Sequence, residues 1–232
     1  MTGKDLVFFP FFQRARISQV SEYLEAGGFT GWRKAILENR PSAILKTLKE
    51  SGLRERDSTG FPTGMKWELL ASSSSPGKYL VVKIEDGEPG NAKDIWLMEK
   101  CPWLVLEGAL IAVWALRITG LIFLVPQNRP FMAAQMSELW NQMLKAGLLK
   151  ASGSDEPLNL PVPEFRRGMG VFTGNEETDL VEFLEGRKIC GRARSHFPIL
   201  EGYKNLPTLI TNPETLANVP LIVANGGDWF AK

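Results

Sequence analysis

Between two short apolar runs, Tyr79–Ile84 and Leu121–Val125, this chain places one continuous apolar segment, Trp103–Leu116. That order constrains the fold more than any other feature. The flanking runs are rich in Val, Ile and Leu and have the length of buried strands; the segment between them is long enough for several turns of helix. Two strands joined through a helical crossover pair in parallel, because a tight turn can join only antiparallel neighbours. A further helix is expected over Phe131–Leu149, with Met132, Met136, Leu139, Trp140, Met143 and Leu144 on its buried side. The βαβα order predicts an α/β, Rossmann-like, mostly parallel sheet with helices on both faces.

The region before the first strand reads as helical. Ile17, Val20, Tyr23 and Leu24 fit one helix that stops at Gly27-Gly28; Trp32, Ala35 and Ile36 suggest a second. Pro41 suits the first position of a third, with Ile44, Leu45 and Leu48 facing inward. Ser72–Gly77 reads as a loop, and residues 86–90 as a turn out of the first strand. Residues 151–167 read as an irregular connection, Val171-Phe172 as a short strand, and Glu176–Leu184 as a helix closed by Gly186. Pro198, Pro207, Pro213 and Pro220 suggest a tail of loop and short helices. The expected organisation is a helical segment over residues 1–52 packed on an α/β domain over 53–232.

Composition removes several function classes. At 232 residues with a formal charge of +1 and no basic block, the chain offers nucleic acid no electrostatic footprint. Cys101 and Cys190 fit no metal spacing. Trp103–Leu116 is too short for a bilayer and contains Glu107, so it reads as a buried helix and no membrane insertion is expected. No secretory leader is evident, and a cytoplasmic protein is expected. His196, the single histidine, reads as a surface residue; Trp103, Trp114 and Trp140 read as core, and Cys190 as inert.

Four segments carry candidate chemistry. Gly52-Leu53-Arg54-Glu55-Arg56-Asp57-Ser58-Thr59-Gly60-Phe61-Pro62-Thr63-Gly64, followed by Lys66-Trp67, reads as a phosphate loop. The second runs from Lys78–Val81 to Lys83-Ile84-Glu85-Asp86-Gly87-Glu88-Pro89-Gly90 and Lys93-Asp94. The third is Gly168-Met169-Gly170 through Asn175-Glu176-Glu177-Thr178; taken alone, its carboxylates could simply stabilise a helix start. The fourth is Pro207–Pro220, including Thr211-Asn212-Pro213-Glu214-Thr215.

In this order the segments resemble the FMN- and NADH-binding subunit of NADH:quinone oxidoreductase and its hydrogenase and formate dehydrogenase relatives, over about Tyr23 to Phe230. That family reads Gly-Leu-Arg-Gly-Arg-Gly-Gly-Ala-Gly-Phe-Pro-Thr-Gly in the first segment. Its glycines and alanine fall on Glu55, Asp57, Ser58 and Thr59 here. In the second, its Asn-Ala-Asp-Glu falls on Lys83, Ile84, Glu85 and Asp86; in the third, a glycine falls on Asn175; in the fourth, one of two paired Asn falls on Thr211. Leu69 stands where the family has an aromatic nicotinamide platform.

The resemblance implies an FMN pocket assembled from Arg56, Gly60, Lys66, Glu85, Asp86, Glu88, Asn175, Glu176, Glu177 and Asn212. It also implies NADH as reductant and other subunits of a redox complex as partners. No iron–sulfur cluster and no ubiquitin-like domain are expected within these residues. Two carboxylates added to a phosphate loop oppose a dianion: like charges roughly 4 Å apart repel by about 4 kcal/mol at an effective dielectric of 20. The sequence thus predicts a divergent, non-catalytic structural or regulatory subunit of an electron-transfer complex, with weak or no FMN binding. The alternative is an active FMN-dependent NADH oxidoreductase subunit that passes electrons to a cluster on another chain.

Overall fold

A computed structural model describes residue 11 and residues 16–38, 40–84, 92–150, 158–170, 177–189 and 197–232. Among the described elements three helices precede the loop: α1 (Val20–Glu25), α2 (Thr30–Glu38) and α3 (Pro41–Glu50), the last with Pro41 in its opening turn as expected. After the loop, α4 (Thr63–Ser72) leads to β1 (Tyr79–Lys83). The crossover consists of α5 (Lys93–Lys100) and α6 (Pro102–Leu116), and returns through β2 (Gly120–Val125). Then follow α7 (Phe131–Lys145), β3 (Glu164–Arg167), α8 (Glu177–Leu184), β4 (Thr208–Thr211), α9 (Pro213–Asn225) and α10 (Gly227–Ala231).

Among the described residues, four strands form one sheet in the order β3-β2-β1-β4, and each of their pairings is parallel. β1 is central: Tyr79 pairs with Gly120 on one side and with Thr208 on the other. The alternation of strand side chains builds two apolar layers. Leu80, Val82, Leu121, Phe123, Val125 and Leu209 join the main core with α6 and α9. Val81, Ile122, Leu124 and Ile210 face the other way, covered by Leu180, Val181 and Leu184 of α8 and by Tyr203. The expected α/β sheet with helices on both faces is the observed one.

Three expectations need correction. Residues 151–167 are not wholly irregular, because Glu164–Arg167 forms β3 at the sheet's edge. The tail is not loop with short helices: it supplies β4 and the thirteen-residue α9. Leu144 is 52% exposed, although Met132, Met136, Leu139, Trp140 and Met143 of the same helix are buried. Val171-Phe172, Cys190 and His196 lie outside the described residues.

The helices interlock around α6, which is buried along almost its whole length. Glu107 within it brings a carboxyl group into the core, where three hydrogen bonds meet it. Its Oε2 accepts from Tyr23 Oη at 2.6 Å and Phe29 N at 2.8 Å, and its Oε1 accepts from Trp32 N at 2.9 Å. Two of these donors are backbone groups at the start of α2, which lack intrahelical partners. Glu107 is therefore a cap supplied from another helix.

Candidate functional site

β1 is followed in sequence by a connection to β2 on one side, while β4 lies on its other side. This reversal opens a crevice beyond the carboxyl ends of β1 and β4, the place where open parallel sheets bind ligands. Among the described residues, a cleft at this position is lined by Lys83, Ile210, Thr211 and Asn212 from the strand ends. Asp57 and Ser58 of the loop and Glu177 and Leu180 of α8 complete it.

Lys66, in the first turns of α4, lies beneath this cleft. Its Nζ donates to Glu177 Oε1 at 2.7 Å and to Ile210 O at 2.6 Å. Burial pulls the Lys66 pKa down, but Glu55 and Glu177 outweigh it and leave the group above the ordinary lysine value. It is a fixed cation. Glu177 begins α8, where a carboxylate is also favoured by the helix dipole.

The loop from Leu53 to Thr63 is a tight hairpin. Glu55 N donates to Phe61 O at 2.8 Å and Thr63 N to Leu53 O at 2.9 Å. Gly60 turns it at φ +55°, a conformation that favours glycine. The two added carboxylates take different directions. Glu55 is 2% exposed; its Oε2 accepts from Thr211 Oγ1 at 2.8 Å, and its Oε1 has no hydrogen-bond partner. Asp57 lines the cleft, but its Oδ1 is tied to the loop itself, accepting from Thr59 N at 2.9 Å and Thr59 Oγ1 at 2.6 Å. Burial pushes the Glu55 carboxyl above its ordinary value; Lys66 and the Thr211 bond oppose this without cancelling it.

Asn212 caps α9, its Oδ1 accepting from Thr215 N at 2.8 Å. Its Nδ2 is buried without a partner, a spare donor in a residue that lines the cleft. Arg56 turns elsewhere: its N donates to Thr215 Oγ1 at 2.8 Å, and its Nε approaches Glu214 Oε1 at 3.8 Å. Glu214 also meets Lys93 Nζ at 3.1 Å, and its N donates to Asp94 Oδ1 at 3.0 Å. That network fastens the loop and α5 to the start of α9.

Of the expected site residues, Glu177 and Asn212 line the cleft, Lys66 is joined to it through Glu177 and Ile210 O, and Gly60 shapes the loop beside it. Arg56 is not among the cleft's lining residues. Glu85, Asp86, Glu88, Asn175 and Glu176 lie outside the described residues. Thr211, Lys83 and Asp57 also line the cleft; the resemblance set each of them on a site motif, but none was in the expected ligand set. The strand-end position of Lys83 and Thr211 is the signal that could have found them.

The profile of the Nuo51 FMN-binding domain family matches residues 48–221. An NADH-quinone oxidoreductase subunit from Streptomyces coelicolor is 38% identical over 211 residues, 90% of this chain and 46% of the relative. Its counterpart in Escherichia coli K12 is 37% identical over 215 residues, 91% of this chain and 47% of the relative. An air-oxidised NAD+-reducing NiFe hydrogenase superposes with a TM-score of 0.74 at 28% identity, covering 92% of this chain and 36% of the hydrogenase chain. The chain thus spans about half the length of the curated relatives it matches.

Proposed function

Because the chain belongs to the Nuo51 FMN-binding domain family, we propose that it binds FMN at the β1–β4 crevice and serves an electron-transfer complex as its NADH-oxidising subunit. The observation that carries this reading is the meeting of Lys66, Glu177 and the spare Asn212 donor at the sheet's switch point.

The residues fit the group. Lys66 supplies a positive charge for a phosphate, Gly60 gives the adjoining loop its left-handed turn, and Asn212 Nδ2 offers an unanswered donor. Bound flavin supplies the chemistry of accepting a hydride from NADH and releasing single electrons. This chain's residues bind and orient. Lys66 holds Glu177 in place, the Glu214 network fixes the loop, and the sheet ends set the floor. Glu85, Asp86, Glu88, Asn175 and Glu176 complete the expected ligand set. The electrons leave to a cluster on a partner subunit, and the complex works in the cytoplasm. Among the described residues no helix is long and apolar enough to cross a membrane.

A second reading is a non-catalytic structural or regulatory subunit with weak FMN binding. It is favoured by the pairing of Lys66 with Glu177 and by the buried Glu55 nearby, which already answer the cation's charge. The two readings separate on one sample. The protein is incubated with FMN, desalted, and examined by visible absorption and by NADH-dependent dye reduction. Retained flavin bands with dye reduction support the first reading. A colourless, inactive protein that recovers redox subunits on co-purification supports the second.

A further inference from the structure

Glu55 has no role in the FMN-binding reading, yet it is the most deeply buried carboxylate at the site. Its neighbours come from three elements. Lys66 of α4 faces it as a cation, Asp57 of the same loop as an anion, and Thr211 of β4 and Thr63 of α4 as neutral hydroxyls. Glu177 of α8 acts on the same lysine. Glu55 and Thr211 both stand where the family motif has a different residue, and they touch each other. The carboxylate is thus built into the packing, not merely tolerated on the loop.

We infer that Glu55 is a proton acceptor coupled to anion binding: a phosphate-bearing ligand entering beside Lys66 is taken up together with one proton from solvent, which settles on the Glu55 carboxylate. The inference rests on the FMN reading and assigns a role within it. In the free protein, Lys66 answers the charge of both Glu55 and Glu177. A phosphate dianion draws on the same lysine and adds negative charge to a cleft already lined by Asp57 and Glu177. One carboxylate must yield. Glu177 keeps its 2.7 Å contact with Lys66, and Asp57 keeps its bonds within the loop. Glu55 is sealed from water, and its Oε1 makes no hydrogen bond of ordinary geometry although the Thr63 hydroxyl lies beside it, so it is the group that takes the proton. Burial has already moved it towards protonation.

The sign follows from linkage. A group that binds a proton when ligand binds makes affinity fall as pH rises, by up to tenfold per pH unit between its free and liganded pKa values. The test is calorimetric titration of FMN into the protein at one pH, in HEPES and in Tris, whose ionisation enthalpies differ. The expected result is uptake of up to one proton per FMN, with none for Glu55→Gln and a flattened pH dependence of that variant's affinity. Riboflavin, which lacks the phosphate, should bind without uptake. Glu55→Gly provides the same readout if the glutamine variant fails to fold, and should bind FMN more tightly than the parent.

Equal uptake by parent and Glu55 variants, or equal uptake with riboflavin, overturns the inference and leaves the FMN reading standing. Absence of FMN binding in parent and variants alike removes the FMN reading, and this inference with it.

Discussion

The ammonium of Lys66 lies 2.7 Å from the carboxylate of Glu177, joining two residues 111 positions apart. The contact ties α4 to the start of α8, which covers the smaller face of the sheet. It is a structural strut and a charge site at once.

Replacing Lys66 with Met should therefore affect both stability and binding. The variant leaves Glu55 and Glu177 without their shared cation and Ile210 O without its side-chain donor. Removing one partner of a buried pair typically costs roughly 3–5 kcal/mol. The Glu177 side chain is 26% exposed, so solvent screening should bring this to about 1–2 kcal/mol. FMN affinity should fall at least tenfold, or about 1.4 kcal/mol. Urea denaturation and flavin fluorescence titration measure the two effects separately.

The strands β1 and β2 and the helix α6 were legible because each is an almost wholly apolar run, interrupted in α6 only by Glu107, as burial on both sides requires. β3 was not, since Glu164-Phe165-Arg166-Arg167 is a charged edge strand whose pairing partner, β2, is distant in sequence. α9 was hidden by its prolines. Pro213 occupies an opening position that suits it, and Asn212-Pro213-Glu214 is a helix start that could have been recognised. Pro220 lies inside the helix, against the usual rule. At the site, residue types announced the loop and the acidic helix start. Whether Glu55 turned inward or outward depended on Thr211, 156 residues away, and no local pattern encodes that.

Cys101 should be inert in the native protein. It is fully buried, and desolvation pushes its thiol up to about 12. Thiolate is the reactive form, so almost none is available near pH 8. Peptide mapping after iodoacetamide treatment should find Cys101 unmodified in native protein and fully alkylated in denaturant. The mapping reads Cys101 separately from Cys190.

Stability should respond to pH through Glu107. Burial raises its pKa, and the bonds from Tyr23, Trp32 and Phe29 oppose this only in part. The unfolded chain ionises first, so between the ordinary carboxylate pKa and the raised native value the folded state holds more protons. Stability then falls as pH rises through that window, by roughly 1.4 kcal/mol per pH unit at the steepest. Glu107→Gln should remove this slope. Glu107→Ala should also lose the slope and should cost roughly 3–5 kcal/mol at the acid end of that window, because it leaves two backbone donors and a tyrosine hydroxyl unanswered in the core. Urea midpoints across pH 4.5–8 distinguish the two variants.

The packing of α6 on α9 should be intolerant of a single methyl group. Pro220 has no N–H, so the Leu216 carbonyl one turn earlier lacks its helical donor. Gly108 of α6 lies against that carbonyl: a Cβ there would come within 2.1 Å of Leu216 O. Gly31 of α2 meets α9 similarly, with 2.3 Å to Pro220 O. Both obstacles are backbone atoms, which cannot swing aside as a side chain would. Overpacking of this kind typically costs ~1–3 kcal/mol, and Gly108→Ala should fall at the upper end. Gly52→Ala is the informative control, since its Cβ would meet nothing within 4 Å and only its φ of +66° opposes the change. That control should lose about 1–2 kcal/mol. The two should also differ at the site. α9 begins at Asn212, so a helix pushed outward by the methyl that Gly108→Ala adds moves the spare Nδ2 donor and weakens FMN binding. Urea midpoints paired with FMN titrations of both variants test this: equal losses of stability and affinity in the two would show that α9 does not depend on the Gly108 contact.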